Sequence, residues 1–391
     1  MRVRSLLGVF SVLLLLAATG CGHVPFGKAD DRSHYSASVV QTSAQNSVTL
    51  PGGYGPITAL AGDPNGSGVW FWADTKTTLS IFHVDGQGKL TSWPVLTGTD
   101  NVYQAESGLA VTSAGMVWLG INATLTRLDP STGAVQTWRI PAPGDNPAAE
   151  SFRPTDTQGQ YLVQAIAASP GGRQIAIGLD LSSSVELFDP AAGTFTQIAM
   201  PAASDTPQSL AYAPDGTLGV GLANYQTHLW DTALVVRPGT TSAPAAIPVP
   251  DSRSITSYGS SGFAVGAGDP SLLTTTGTVT PIAAPAAAAG ASAPASGQAI
   301  IVLPNRVLGI IGKGGVFEYP GNATTVASAT AGSVTLQLPG VPCPVPITIG
   351  SPAPTPTGPC YPGPSVIAVD GAGGIWVVPN TTNESVEQIV S

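Results

Sequence analysis

One stretch, "GLAVTSAGMVWLGINATLTRLDPSTGAVQTWRIP" at 108–141, constrains the fold more than any other feature because its pattern recurs along the chain. It divides into an apolar run, a Gly-bearing turn, a second apolar run, "TLTRLD", a "PSTG" turn and "AVQTWRIP". That is four short strands, each Gly turn placed to close a hairpin. The pattern returns in "AIAASPGGRQIAIGLDLSSSVELFDPAAGTFTQIAMP" from 165, "SLAYAPDGTLGVGLANYQTHLW" from 209 and "SITSYGSSGFAVGAGDPSLLTTTGTVTPIAAP" from 254. Upstream lies "ITALAGDPNGSGVWFWADTKTTLSIFHVDGQGKLTSWPV" from 57. Downstream come "AIIVLPNRVLGIIGKGGVFEYP" from 299 and "SVIAVDGAGGIWVVPNTTNESVEQIVS" from 365.

The second strands of these seven units centre near Trp70, Trp118, Ala176, Gly219, Ala264, Gly309 and Trp376. Four-strand repeats of roughly 40 to 50 residues are the pattern of β-propeller blades. The last unit has three strands, and "NSVTLP" at 46–51 matches "AVQTWRIP" and "TFTQIAMP" as a fourth strand without companions. The expectation is therefore an all-β, seven-bladed β-propeller closed by an N-terminal strand that completes the last blade, leaving no raw edge. The closing "ESVEQIVS" would find its neighbour in Val48 and Leu50.

"AASPGGRQIAIG", "SVELFDPAAG" and "APDGTLGVG" resemble the repeat of YVTN-type and streptogramin-lyase-like seven-bladed propellers. "VWFWAD", "MVWLG" and "GIWVV" look like the lyase group's Gly–Asn–Leu–Trp–Phe strand. The resemblance covers about residues 46–391 and implies a fold, because repeat residues are scaffold. The Trp residues on these strands are read as packing between sheets.

Only 9% of residues are charged, with 47 Gly and 36 Pro, which disfavours long helices. The net charge of −9 without basic clusters argues against nucleic acid, which needs a basic footprint. Arg2 and Arg4 followed by "LLGVFSVLLLLAA" read as an export signal over 1–20. The following "ATGC" resembles the bacterial lipobox, with Ala18 where Leu is commoner. That resemblance implies diacylation of Cys21, a membrane anchor and an extracytoplasmic location. The alternatives are ordinary cleavage after Gly20 or an uncleaved anchor. Residues 21–45 are then a flexible tether and 46–391 the folded domain. Cys343 and Cys360, an even pair in an exported protein, are expected to form a disulfide.

Connections in such a blade alternate between two ends. The first-to-second and third-to-fourth turns are short, as in "DPNG" at 63, "SAG" at 113 and "DGQG" at 85. The long segments 96–106, 142–163, 283–297 and 340–364 all belong to the other end, where binding usually resides. Candidate ligand-face residues there are Asp74, Glu106, Glu150, Arg153, Asp156, Tyr161, Asp180 and His228. A tether of ~80 Å, at about 3.4 Å per residue, would enter from the short-turn end and leave the loop-rich end facing outward.

The likeness to the lyases implies His and Glu groups near a bound magnesium, yet only His23, His34, His83 and His228 occur. His83 and His228 fall at opposite ends of their third strands, so they form no dyad, and the catalytic residues are unassigned. The reading is a binding or scaffold module for protein or envelope glycan, with no cofactor assigned. The competing class is an enzyme using loop carboxylates and a divalent cation.

Overall fold

The computed structural model describes residues 39–41, 44–75, 77–97, 107–121, 123–141, 163–180, 182–224, 226–227, 229–237, 239, 244–260, 262–266, 271–281, 300–303, 306–312, 315–318, 334–337, 341–342, 359–360, 366–378 and 385–389. Its strands form seven sheets of four or more strands, taken here as blades in chain order. Blade 1 holds Leu60–Gly62, Gly68–Asp74, Thr78–Asp85 and Leu90–Thr97. Blade 2 holds Ser107–Val111, Val117–Ile121, Thr124–Asp129 and Ala134–Arg139. Blade 3 holds Val163–Ala168, Ile175–Leu179, Ser184–Asp189 and Thr194–Ala199. Blade 4 holds Asp205–Tyr212, Leu218–Asn224, Leu229–Val236 and the two-residue Ile247–Pro248.

Blade 5 holds Ile255–Tyr258, Gly262–Val265, Ser271–Thr274 and Val279–Pro281. Blade 6 holds Ile300–Leu303, Arg306–Gly312, Gly315–Glu318 and Val334–Gln337, and blade 7 holds Val366–Val369, Ile375–Val378 and Ser385–Ile389. Each is an antiparallel meander with its strands in chain order. First strands touch those of the neighbouring blades all the way round, including blade 7 against blade 1.

The local chemistry explains the regularity. In blades 2 and 3 the third-to-fourth turn is an Asp–Pro–x–x–Gly: Asp129 Oδ1 accepts the Ser131 N–H at 2.9 Å and Asp189 Oδ1 that of Ala191 at 2.8 Å. Gly133 and Gly193 close those turns at φ of 73° and 67°, a conformation that favours glycine. The second strands of blades 1, 2 and 3 are buried along their length because sheets cover both faces. Such strands read as continuous apolar runs rather than alternating ones. In blade 1 the faces separate cleanly. Val69, Phe71 and Ala73 join a core with Ala368, Trp376 and Val378 of blade 7. Trp70 and Trp72 join another with Leu109, Val117 and Leu119 of blade 2. A Cβ at Gly120 would come within 2.6 Å of the Val163 side chain on blade 3, so that approach requires the missing side chain.

The N-terminal strand sits where the orphan repeat requires. Ala44–Thr49 pairs antiparallel with Ser385–Ile389, Ser47 opposite Glu387 and Val48 opposite Val386. Leu50 and Val386 are buried in the core shared with blade 1. The amide of Asn46 donates to Gln388 Oε1 at 2.8 Å and to the Gly86 carbonyl at 3.2 Å. One feature was not visible in the repeat: Val39–Gln41, expected within the tether, pairs parallel with Val334–Gln337 on the outside of blade 6. Among the described residues, Val39–Gln41 and Ala44–Thr49 together lie along the rims of blades 6 and 7.

A second seam element is Asp370, in the first-to-second turn of blade 7. Its buried carboxylate accepts four N–H groups. Oδ1 takes Ala372 at 3.0 Å and Gly374 at 2.7 Å; Oδ2 takes Gly68 of blade 1 at 3.0 Å and Trp376 Nε1 at 2.9 Å. The Gly371 N–H donates to the Asp63 carbonyl of blade 1 at 2.7 Å.

Candidate functional site at the loop-rich end

Of the ligand-face candidates, Glu106, Glu150, Arg153, Asp156, Tyr161 and His228 lie outside the described residues, as do Cys21 and Cys343. Asp74 ends the second strand of blade 1, at the loop-rich end, but is only 2% exposed. Its Oδ2 has no hydrogen-bond partner, and burial pushes the carboxyl above its ordinary range. Asp180 lies half-buried in the turn after Ile175–Leu179, two blades away. Among the described residues, no three His, Cys, Asp or Glu side chains stand together to hold a metal ion. His83 sits at the opposite, short-turn end: its Nε2 is 3.2 Å from Asp63 Oδ2 and its ring stacks on Trp70 at 4.3 Å. Desolvation lowers its pKa, against the pull of Asp63 and Asp85.

Three groups at the loop-rich end escaped the sequence reading. The first surrounds Glu186 on the third strand of blade 3. Val185 and Leu187 pack toward blade 4, so Glu186 points the other way, toward blade 2, and is only 2% exposed. Gln197 Nε2 donates to Glu186 Oε1 and to Ser184 Oγ, both at 2.9 Å, and Ser182 Oγ lies 2.9 Å from Ser184 Oγ. Burial raises the Glu186 pKa, with the Gln197 and Ser184 hydrogen bonds opposing it. The folded state therefore binds this proton more tightly than the unfolded chain. Stability that is complete below the ordinary value of 4.5 is lost as pH rises through the folded value. Glu186→Gln, which keeps an acceptor for Gln197, should stabilise the protein relative to the parent at about pH 8 and not at about pH 4. Paired thermal melts at the two pH values check this; an equal offset at both would remove Glu186 as the source.

The second group locks the entry to blade 4. Asn224 Nδ2 donates to Asp205 Oδ1 at 2.8 Å and Ser204 Oγ at 3.0 Å, while Asn224 Oδ1 accepts the Gln226 and Thr227 N–H groups, each at 3.0 Å. These polar groups serve the scaffold.

The third group is on the surface. Leu229 and Trp230 open the third strand of blade 4 and are 50% and 40% exposed. The fourth strand pairs with Thr232 and Ala233, further along the third strand. The backbone is nevertheless fixed: the Ser252 N–H donates to the Trp230 carbonyl at 2.8 Å and Val249 N–H to Asp231 at 2.9 Å. Beside them Asp251 grips Arg253, accepting Nε at 3.0 Å and Nη2 at 2.8 Å, and the guanidinium lies 5.8 Å from the Trp230 ring centre. That is cation–π range.

No family model matches this chain. No curated protein is significantly similar to it. Solved structures do share its shape. The structure of U3-55K is 12% identical over 90% of this chain and all of that one, with a TM-score of 0.60. The Cps50 (Swd1) β-propeller domain of Myceliophteria thermophila is 10% identical over 90% of this chain and all of that one, at 0.58. A chain in the mitotic checkpoint complex is 13% identical over 96% of this chain and 98% of that one, at 0.57. At such identities the likeness carries the fold alone: the chain is an all-β protein of the β-propeller kind.

Proposed function

We propose that this chain is a closed seven-bladed propeller serving as a lipid-anchored, extracytoplasmic binding or scaffold module, with envelope protein or glycan as its partner. The observation that carries the binding role is the contrast at the loop-rich end. Asp74 and Glu186 are buried and Asp205 and Asp251 are engaged in the scaffold, whereas Trp230 is exposed on blade 4 with the guanidinium of Arg253 beside its ring. Closure is supported by the cycle of first-strand contacts and by Ala44–Thr49 on the seventh blade. The similar chain in the mitotic checkpoint complex belongs to an assembly, in keeping with a binding role.

The kinship with YVTN and streptogramin-lyase-like propellers rests on the repeat residues and brings no lyase chemistry, since His83 lies at the short-turn end beside Asp63. The lipid anchor rests on Cys21 and the run before it. The disulfide rests on the pair Cys343 and Cys360 in an exported chain.

One experiment addresses these points together. Wild-type and Cys21→Ala chains expressed in a bacterial host are fractionated, weighed by mass spectrometry after alkylation without reductant, and melted with magnesium and calcium. The expected wild type is membrane-bound and diacylated, with Cys343 and Cys360 unlabelled; the variant lacks the lipid. Neither cation should stabilise it saturably. A wild type without lipid mass removes the anchor, labelled cysteines remove the disulfide, and saturable cation stabilisation turns the case toward an enzyme.

A further inference from the structure

We propose that Asn65 is a site of spontaneous covalent modification: attack by the Gly66 nitrogen expels its side-chain amide, and the isoaspartate that results loosens the joint between blades 7 and 1. This stands apart from the binding reading above. Three asparagines lie among the described residues, at 46, 65 and 224. Asn46 is held by Gln388 and Gly86, and Asn224 by Asp205, Ser204 and the N–H groups of Gln226 and Thr227. Asn65 is exposed, and its side chain makes no hydrogen bond among the described residues. Only its main-chain N–H is engaged, by Asp63 Oδ1 at 2.9 Å. It is also the one asparagine of the sequence that precedes a glycine. The way to Gly66 is open. A Cβ there would meet nothing within 4 Å, and its N–H donates to no acceptor among the described residues.

The chemistry needs only water and hydroxide. Hydroxide removes the Gly66 N–H proton, the nitrogen bonds to Asn65 Cγ, and the Cγ–Nδ2 bond breaks, releasing ammonia with a proton from solvent. Any side chain on the attacking residue would hinder that approach, and glycine has none. Water then opens the cyclic imide at one of its two carbonyls. Opening at Cγ leaves an aspartate. Opening at the main-chain carbonyl leaves isoaspartate, whose backbone runs through the side chain and is longer by a methylene. The turn is a poor place for extra backbone. The Asp63 N–H closes it on the Gly68 carbonyl at 2.9 Å, and the Asp63 carbonyl accepts the Gly371 N–H of blade 7 at 2.7 Å. The contact is so close that a Cβ on Gly371 would collide with the Pro64 carbonyl. Lengthening the chain at Asn65 therefore strains a turn that is wedged against the next blade.

The test ages full-length wild type and Gly66→Val in mildly alkaline buffer, follows the peptide spanning Asn65 by mass spectrometry, and measures isoaspartate by enzymatic methylation. Wild type should convert progressively, and faster as pH is raised, exchanging NH2 for OH at position 65 with isoaspartate among the products. Gly66→Val should convert several-fold more slowly. Its side chain enters open space at a φ outside the left-handed region, so the fresh variant should melt with the parent, which shows that its fold is intact. Converted wild type should melt roughly 2 °C below fresh protein, the effect of losing about one hydrogen bond at the joint. Asn65→Asp, which carries the new charge without the longer backbone, should melt within about 1 °C of the parent. No conversion of wild type, or equal conversion of Gly66→Val, overturns the modification site. Converted wild type that melts with fresh protein, or Asn65→Asp that melts as low as the converted form, overturns its effect on the joint.

Discussion

Excising residues 39–50 from the full chain is expected to abolish cooperative folding. The segment supplies the outer strand of blade 7 and a fifth strand on blade 6. Leu50 is buried and Val48 packs on the same core, among Phe71, Phe82, Trp376 and Val386. Burying a Val or Leu side chain is worth about 1.5–3 kcal/mol, and each ladder hydrogen bond adds ~1 kcal/mol net. Several such bonds are lost together with both side chains. The total reaches the roughly 5–15 kcal/mol by which an ordinary domain is stable. Ser385–Ile389 would also become an open edge, a template for association. Size-exclusion chromatography and urea unfolding should report aggregates without a cooperative transition. A monomer melting within about 2 °C of the parent would show that the seam closes without this strand. Asn46→Ala, which loses the amide contacts to Gln388 and Gly86, should by contrast cost only about 1 kcal/mol.

The second large effect concerns Asp370. Its replacement by Ala leaves four N–H groups without their acceptor, two of them, on Gly68 and Trp376, in buried contacts. Each stranded buried donor costs about 1–3 kcal/mol, and losing a multiply bonded buried carboxylate about 3 kcal/mol or more. With an unfolding entropy of ~2.1 cal/mol/K per residue, a domain of about 350 residues should lose roughly 4 °C in Tm. Asp370→Asn should fare little better, because its NH2 cannot accept from the pair of N–H groups it faces. A melt of either variant within 1 °C or so of the parent would show that the seam does not depend on this carboxylate.

The difference between these two elements shows what was legible in the amino-acid pattern. The front strand repeats the outer-strand motif of other blades, so "NSVTLP" identified its own place, and Ser47 does lie opposite Glu387. Glycine turns and continuous apolar second strands were equally readable, because period and turn chemistry are local. Asp370 was not: in "DGAGG" it reads as an ordinary hairpin Asp, and its partner Gly68 is 302 residues away. Glu186 was missed for a related reason. A polar residue alternating with Val185 and Leu187 reads as solvent-facing, but a blade has neighbours on both sides. Asp74 lies at the expected end of its strand, yet the same double covering buries it. Trp230 closes the quoted run "NYQTHLW" and looks like core, yet it is 40% exposed.

The stretch Val39–Thr49 lays consecutive pieces along the rims of two blades, running parallel to the outer strand of the sixth. Tension applied to the chain ahead of it, along that direction, would load those backbone bonds side by side in shear instead of peeling them singly. Several backbone bonds at this seam would then have to break together, which resists a pull along the strand far better than one bond opening after another.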